Sequence, residues 1–337
     1  MARADRLALA FETGALTLPP SGDVVVLRAA APGLAEVLPR ERLLFESSFK
    51  PVHDALVAAG LRTTARAEAP AAFVAVTMGR ARAETLGDVA RALALLPPGG
   101  VLALDGAKTD GIDSAAKALA AVLPLEGSFA KAHGRVVWAR RPESLPPEAA
   151  AWAAAAAPAR NAAGFLTAPG MFSPEAPDPG SLRLAAAVAG RLSGRVADLG
   201  AGWGWLAAQA LADNPGLAAI ELYEAEGRAL DAARVNVPDP RAGFHWADVR
   251  ALRREGLGFD AVISNPPFHQ GRAAEPELGA GFIAAAARIV KPQGRFFMVA
   301  NRQLPYEAAL DAAFARWEKI AEDGAFKMFR ADRPRRA

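Results

Sequence analysis

The segment 264–268 reads Ser-Asn-Pro-Pro-Phe and directly follows the apolar run 259–263. The Asn265 side chain and the Pro266 carbonyl offer two hydrogen-bond acceptors, and the paired prolines restrict the backbone that holds them. Phe268 supplies a ring that can stack on a planar group. Because these features suit a planar amine, we predict that Asn265, Pro266, Pro267 and Phe268 form a catalytic segment.

A second stretch, 198–204, reads Asp-Leu-Gly-Ala-Gly-Trp-Gly and leads into an alanine-rich helical pattern. Gly200, Gly202 and Gly204 permit a tight turn and a close approach of backbone to a ligand. Dinucleotide-binding folds use a similar turn, so the glycines alone are a weak signal. Asp198 precedes them, and the glycines include no basic group suited to a pyrophosphate. We therefore favour S-adenosylmethionine over NAD, with Asp198 serving the cationic end of that ligand.

Two further carboxylates end apolar runs. Glu224 lies 24 residues after Gly200 and is placed to accept from ribose hydroxyls, and Asp248 is placed to accept from an adenine amine. The carboxyl ends of the strands of an open α/β sheet meet at one edge. A glycine turn, two carboxylates and Asn265 at the ends of successive strands therefore predict one ligand site, in which Asn265 borders the cofactor as well as the amine.

With these motifs, residues 160–330 resemble class I S-adenosylmethionine-dependent methyltransferases, and more narrowly the RsmC-like guanine-N2 methyltransferases of 16S ribosomal RNA. The resemblance implies methyl transfer from S-adenosylmethionine to the N2 amine of a guanine, with the small subunit favoured. Phe268 stands where adenine-N6 and glutamine methyltransferases usually have Tyr, and Glu224 where relatives commonly have Asp. The segments that support the resemblance are 165–173, 198–204, 265–269 and 299–307, and more weakly 106–112 and 131–136.

Other functions share part of this pattern. Methylation of adenine N6 or of a protein glutamine amide uses the same Asn-Pro-Pro-aromatic segment, and an RNA-binding assembly factor could retain the pocket without catalysis. The chain retains all four polar residues of the predicted site, which argues against an assembly factor without catalysis: Asp198, Glu224, Asp248 and Asn265. We predict His269 and Arg302 as further substrate contacts. His53, His133 and His245 show no metal-ligand spacing, so we expect no metal.

Composition limits the class of protein. The 337 residues contain no cysteine, which excludes disulfides and cysteine-based metal sites, and no run of about 20 apolar residues that could span a bilayer. The net charge of +3 is mild for a nucleic-acid-binding protein. We expect a cytoplasmic protein that acts on ribosomal RNA or a ribosomal subunit and makes no membrane contact.

The proline-rich segment near 140–147 divides the chain. We predict a first domain at 1–145, a linker at 146–160 and the catalytic domain at 161–332. The apolar run 71–77 corresponds to 259–264, which indicates duplication of one α/β unit. The predicted helices that follow the two runs also correspond: 82–96 matches 279–290, and 112–122 matches 305–317.

The first copy lacks the motifs of the second. Residues 78–81 read Met-Gly-Arg-Ala in place of Asn-Pro-Pro-Phe, and no glycine motif follows the apolar run 23–27. We predict a degenerate domain that binds no cofactor, supports the catalytic domain and helps to hold RNA. The expected fold is α/β, with two tandem methyltransferase-like Rossmann-type domains. The catalytic domain should have a seven-stranded mixed sheet with helices on both faces and an antiparallel last strand near 325–329. Two such domains resemble an internal dimer, so we expect a monomer.

Overall fold

The computed structural model describes residues 5–253, 258–267, 269–270, 273–274 and 276–335. Of these, the residues up to Pro158 together with Ala168–Gly170 form unit 1, and the others form unit 2. The division lies after Pro158. The sequence analysis predicts that the first domain ends at 145 and that residues 146–160 form a linker. No helix among the described residues is long and apolar enough to cross a membrane.

Unit 1 contains a seven-stranded sheet, with the strands in the order β3-β2-β1-β4-β5-β7-β6. Strand β7 runs antiparallel to β5 and β6, and the remaining pairs are parallel. The described strands of unit 1 are β1 (Val24–Leu27), β2 (Leu43–Glu46), β3 (Thr63–Thr64), β4 (Phe73–Thr77), β5 (Val101–Ala107), β6 (Leu125–Lys131) and β7 (Gly134–Arg140). Its described helices are α1 (Arg6–Glu12), α2 (Leu34–Val37), α3 (Lys50–Ala58), α4 (Arg82–Leu95), α5 (Ile112–Ala120) and α6 (Pro147–Ala156).

Unit 2 repeats this topology in its main sheet, with the order β12-β11-β10-β13-β16-β18-β17. Its described strands are β8 (Ala159–Arg160), β9 (Leu166–Thr167), β10 (Gly194–Leu199), β11 (Leu217–Glu224), β12 (Ala242–Trp246), β13 (Phe259–Ser264), β14 (His269–Gln270), β15 (Ala273–Ala274), β16 (Val290–Asn301), β17 (Phe314–Glu322) and β18 (Phe326–Pro334). Its described helices are α7 (Pro179–Val188), α8 (Trp205–Asp213), α9 (Gly227–Asn236), α10 (Pro276–Ile289) and α11 (Glu307–Ala313).

The central strands are short apolar runs because helices cover both faces of each sheet. All four residues of β1 are buried, as are Ala261–Ser264 of β13. The strands β4 and β13 occupy the same position in their sheets, and each is followed by a long helix. The predicted duplication and the antiparallel last strand are therefore confirmed, the latter as β18.

One predicted element is wrong at its end. The helix expected over 305–317 stops at Ala313, and β17 begins at Phe314. Phe314 is buried and stacks on Phe296 with ring centroids 5.7 Å apart, and Trp317 meets the edge of Phe329 at 5.6 Å. Burial of these rings in the paired strand outweighs the helical propensity of the alanine-rich sequence before it.

The parallel register of unit 2 brings the ends of β10, β11 and β13 to one edge. Leu199 at the end of β10 lies opposite Tyr223 of β11 and Ser264 of β13. The Ser264 hydroxyl donates to the Leu199 carbonyl at 2.7 Å and ties the two strand ends together. Sequence order reverses between β10 and β13, and such a switch point leaves a crevice in which open α/β sheets bind ligands.

Helix α6 packs against α4 at a position where only glycine fits. A Cβ atom on Gly87 would lie 2.2 Å from the Cβ of Ala156. We predict that Gly87→Val separates the two helices, lowers the free energy of unfolding by about 1–3 kcal/mol and shifts the fluorescence of the neighbouring Trp152. Urea unfolding followed by fluorescence measures this effect. Ala94→Val, at an exposed site on the same helix, is the control, and equal effects of both variants would contradict the packing argument.

Candidate active site

The turn after β10 is built from glycines in left-handed conformation. Gly200 has φ 74° and Gly204 has φ 88°, and Gly204 is the residue before α8. A Cβ on Gly204 would lie 2.9 Å from Val237 Cγ2 and 3.1 Å from Ala233 Cβ. The N–H groups of Gly200 and Ala201 donate to the Tyr223 carbonyl at 2.8 and 3.2 Å. These two hydrogen bonds fix the turn against β11.

Asp198 lies at the base of this turn and is 1% exposed. Among the described residues, neither of its carboxylate oxygens has a hydrogen-bond partner. Burial, with a further contribution from the negative charge of Glu224, raises the pKa of Asp198 to about 8. A buried carboxylate without a partner is costly when charged, and a cationic ligand group would remove that cost.

Glu224 ends β11 and is held by the backbone around it. Its Oε2 accepts from the Gly202 N–H at 2.8 Å, and its Oε1 accepts from the Glu226 N–H at 2.8 Å. Burial raises the pKa of Glu224, although these N–H groups act in the opposite direction. The carboxylate is thus fixed beside the glycine turn, and its predicted contact with ribose hydroxyls stays a prediction.

Asn265 follows β13 and has a defined amide orientation. Its Nδ2 donates to Asp178 Oδ2 at 2.8 Å and to Ser181 Oγ at 2.9 Å. Both amide hydrogens have acceptors, so the remaining polar atom, Oδ1, is available as an acceptor. Of the prolines that follow, Pro266 is buried and Pro267 is exposed. Phe268 and the side chain of His269 lie outside the described residues, and their predicted roles stay predictions.

One cleft at the carboxyl edge of the sheet brings several of these groups together. Its lining includes Asp198, Gly200, Gly202, Asn265, Asp178 and Ser181. Of the predicted site residues that the structure describes in full, the following do not line this cleft: Gly204, Glu224, Asp248, Pro266, Pro267 and Arg302. Asp248 pairs with the Arg250 guanidinium at 2.9 and 3.0 Å, and the Arg302 Nε donates to Glu322 at 2.9 Å. Within the described residues no cluster of side chains could hold a metal ion.

The sequence analysis assigned no role to Asp178 or Ser181. It also did not predict the hydrogen bonds made by the residues before α7. The signal for Asp178 is an Asp-Pro pair that begins a helix, since Asp caps the helix and Pro suits its first turn. At the lip of the cleft, the Trp203 Nε1–H donates to the Phe172 carbonyl at 2.8 Å. Asn236 donates to the carbonyls of Trp203 and Leu166, each at 2.8 Å. The first bond attaches Phe172 to the glycine turn, and Asn236 links Leu166 to the same turn.

The glycine turn, the carboxylates at strand ends and the acceptor on Asn265 define unit 2 as a ligand-binding sheet of the Rossmann-like methyltransferase class. The family model of the methyltransferase small domain matches residues 162–330. The chain therefore belongs to the methyltransferase small domain family, in agreement with the resemblance found over 160–330.

Two curated relatives are both named ribosomal RNA small subunit methyltransferase C. The protein from Klebsiella pneumoniae is 36% identical over 172 residues, which cover 51% of this chain and 50% of the relative. The protein from Cronobacter sakazakii is 35% identical over 167 residues, which cover 49% of this chain and 48% of the relative. The match thus spans about half the length of these relatives.

A solved structure is similar over nearly the whole chain. The T. thermophilus 16S rRNA N2 G1207 methyltransferase (RsmC), in complex with AdoMet and guanosine, superposes with a TM-score of 0.81. It is 24% identical, and the match covers 98% of this chain and 92% of that chain. This likeness confirms the predicted fold of two tandem methyltransferase-like domains.

The corresponding edge of unit 1 holds an ion cluster. Arg28 follows β1 with φ 57°, as Gly200 follows β10 with φ 74°. The Arg28 guanidinium lies 2.8 Å from Glu84 and 3.7 Å from Asp88, whose side chains are 2% and 9% exposed. Arg91 pairs with Asp88 at 3.3 Å and with Glu46 at 2.6 Å. The position that is Gly200 in unit 2 is therefore Arg28 in unit 1, where the guanidinium pairs with carboxylates of the protein itself.

We predict that Arg28→Met lowers the free energy of unfolding by about 3 kcal/mol, because it leaves buried carboxylates without one of their cations. Chemical denaturation measures the loss. Arg62→Met is the matched control, since Arg62 pairs with Asp23 where both side chains are about half exposed, and its loss should stay within about 1 kcal/mol. Equal effects of the two variants would contradict a stabilising ion cluster.

The raised pKa of Asp198 predicts a pH-dependent stability. Without ligand, the folded protein keeps the Asp198 proton up to about pH 8, whereas the unfolded chain releases it near 3.8. This contribution to folding therefore falls as pH rises between those values. Asp198→Asn should unfold at a higher temperature than the wild type at pH 9, with the difference shrinking toward pH 5. Scanning calorimetry at both values tests this, and a variant less stable than the wild type at pH 9 would refute it.

Proposed function

We propose that the protein transfers a methyl group from S-adenosylmethionine to the exocyclic N2 amine of a guanine in ribosomal RNA, with the small subunit favoured. The observation that carries this proposal is the cleft itself, in which Asp198, a buried carboxylate with no hydrogen-bond partner among the described residues, and the oriented acceptor Asn265 share one sheet edge. The names of the two curated relatives, and the AdoMet and guanosine in the T. thermophilus complex, support it.

The residues of the cleft fit S-adenosylmethionine. In the part of the chain that the structure describes, Asp198 has no hydrogen-bond partner, and a cationic amino-acid end would supply one. The turn at Gly200 and Gly202 leaves backbone open to a ligand. Glu224 is fixed where it can accept from ribose hydroxyls. For Asp248 we retain the adenine contact as a proposal, which requires its carboxylate to accept from a ligand amine while it pairs with Arg250. When bound, S-adenosylmethionine supplies an electrophilic methyl group on a sulfonium.

The chain's own part in the reaction is to position a weak nucleophile. The lone pair of the guanine N2 is conjugated into the ring. Asn265 Oδ1 and the Pro266 carbonyl would accept hydrogen bonds from the two N–H groups of the guanine amine. These bonds would direct the N2 lone pair at the methyl carbon. Proximity and orientation then supply most of the acceleration, and the proton lost from the methylated amine needs no strong base. We propose that Phe268 stacks on the extruded base and that His269 and Arg302 contact the RNA.

Unit 1 has a supporting role in this proposal. In unit 1, the ion cluster around Arg28 takes the position that corresponds to the glycine turn of unit 2. We therefore assign no cofactor to unit 1. We propose instead that unit 1 helps to hold RNA. A ribosomal RNA substrate would be met in the cytoplasm. The duplicated fold within one chain supports a monomer.

The test is transfer of labelled methyl groups to hypomodified small subunits, free ribosomal RNA and total protein, followed by nucleoside analysis. We expect N2-methylguanosine in small-subunit RNA. Label on adenine or on glutamine would contradict the guanine assignment, and an absence of transfer to all three would favour an assembly factor.

For the catalytic residue, we predict that Asn265→Ala lowers turnover by about 10²–10³-fold, the usual loss for one group that stabilises the transition state. Thermal stabilisation by S-adenosylmethionine should persist in this variant. Gln209→Ala, which removes an amide that pairs with Asp213 on α8, is the control and should retain full turnover. Unchanged turnover in the Asn265 variant would exclude the proposed role.

A further inference from the structure

A side-chain amide presents an acceptor at one end and two donors at the other, so its orientation decides what it can bind. Only one orientation of Asn265 accepts from an amine. The flipped amide would turn its own N–H groups toward the N–H groups of the target and make no hydrogen bond with them. Whatever fixes the orientation of Asn265 therefore determines whether the site can bind an amine.

The structure shows what fixes it. The Asn265 Nδ2 lies 2.8 Å from Asp178 Oδ2 and 2.9 Å from Ser181 Oγ. A carboxylate only accepts hydrogen bonds, so a flipped Asn265 would place its Oδ1 against the Asp178 oxygen and lose a charge-assisted bond. Both residues lie at the start of α7, more than 80 positions before Asn265 in the chain.

The start of α7 also fixes Asp178 itself. The Asp178 Oδ2 that accepts from Asn265 also accepts from the Ser181 N–H at 3.0 Å, so one oxygen caps the helix and holds the amide. Pro179 occupies the first turn and restricts the backbone beside the cap. A Cβ on Gly180 would lie 2.9 Å from the same Oδ2, so the small residue at 180 leaves room for the carboxylate.

We propose that Asp178 and Ser181 are positioning residues that hold the Asn265 amide with Oδ1 toward the target amine. This proposal rests on the proposed function, because it assigns to that orientation a consequence for methyl transfer. The side chains act through Asn265 and are not themselves required to touch the substrate.

The main variant is Asp178→Ser. Serine is a good helix cap, so α7 is retained, but its shorter side chain does not reach Asn265. We expect kcat to fall by about tenfold to a hundredfold, the loss that accompanies a misplaced reacting group. KM for the RNA should change less than kcat, and the affinity for S-adenosylmethionine and the melting temperature should stay near those of the wild type.

Two variants of the same residues distinguish orientation from charge. Asp178→Asn should restore most of kcat, because the amide oxygen can replace Oδ2 toward both the Ser181 N–H and Asn265. Ser181→Ala removes the second acceptor and leaves the helix cap, so it should lower kcat less than Asp178→Ser. As a matched control, Asp5→Ser exchanges the same cap at α1, where the Asp5 side chain accepts from the Ala8 N–H, and should retain full kcat.

A second readout is independent of turnover. The side-chain amide protons of Asn265, assigned in a ¹⁵N-labelled protein by their absence from Asn265→Ala, should be protected from solvent exchange in the wild type and exchange faster in Asp178→Ser. Equal protection in both proteins would overturn the proposal even if no guanine is methylated. If the wild type methylates guanine, an Asp178→Ser variant with wild-type kcat, or one whose kcat falls only in step with cofactor affinity, would also overturn it. Absence of guanine methylation by the wild type would instead refute the proposed function.

Discussion

A buried carboxylate without a partner among the described residues, Asp198, is the group on which the rest of unit 2 depends. Leaving water costs a carboxylate several kcal/mol unless a cation or hydrogen-bond donors replace its solvation. Burial and the nearby Glu224 raise the pKa of Asp198 to about 8, so the group stays neutral near physiological pH until a cation approaches it. The glycine turn and the oriented Asn265 line the same cleft as Asp198, and Glu224 is fixed beside the turn by the Gly202 N–H.

The two units show two solutions on one topology. Both seven-stranded sheets have the same strand order, and in each a residue in left-handed conformation follows the strand of that sheet that comes first in the chain, β1 or β10. In unit 2 this residue is Gly200, and backbone is left open to the cleft. In unit 1 it is Arg28, whose guanidinium lies against Glu84 and Asp88. The same backbone turn can therefore face a cleft or carry an ion pair. The side chain decides which: glycine leaves the backbone open, and arginine neutralises carboxylates of the protein itself.

Much of the site could be predicted from the sequence because its parts are local. Gly200, Asp198 and Glu224 each stand at the end of an apolar run, and parallel strands bring such ends to one edge without further information. The duplication was visible for the same reason, since apolar runs and the helices after them repeat in order. These features depend on spacing along the chain, which a single sequence shows directly.

The remaining features depend on contacts between distant residues. The bonds from Asn265 to Asp178 and Ser181 join segments far apart in the chain, and no local pattern indicates them. The same holds for Arg302, whose partner Glu322 lies on β17, a strand that the sequence assigned partly to a helix. Asp248 stands near the predicted edge, but no local pattern indicates that Arg250 binds both of its oxygens.

We propose that Asp198 is a neutral, buried acid that ionises to receive the cationic end of the ligand. The most direct measurement is the pH titration of its carboxyl carbon by NMR, in protein labelled with ¹³C at the aspartate carboxyls and assigned with Asp198→Asn. We predict a pKa near 8 without ligand and an ionised carboxylate at pH 7 when S-adenosylmethionine is bound. An ordinary aspartate pKa in the free protein, or a titration that S-adenosylmethionine leaves unchanged, would contradict the account.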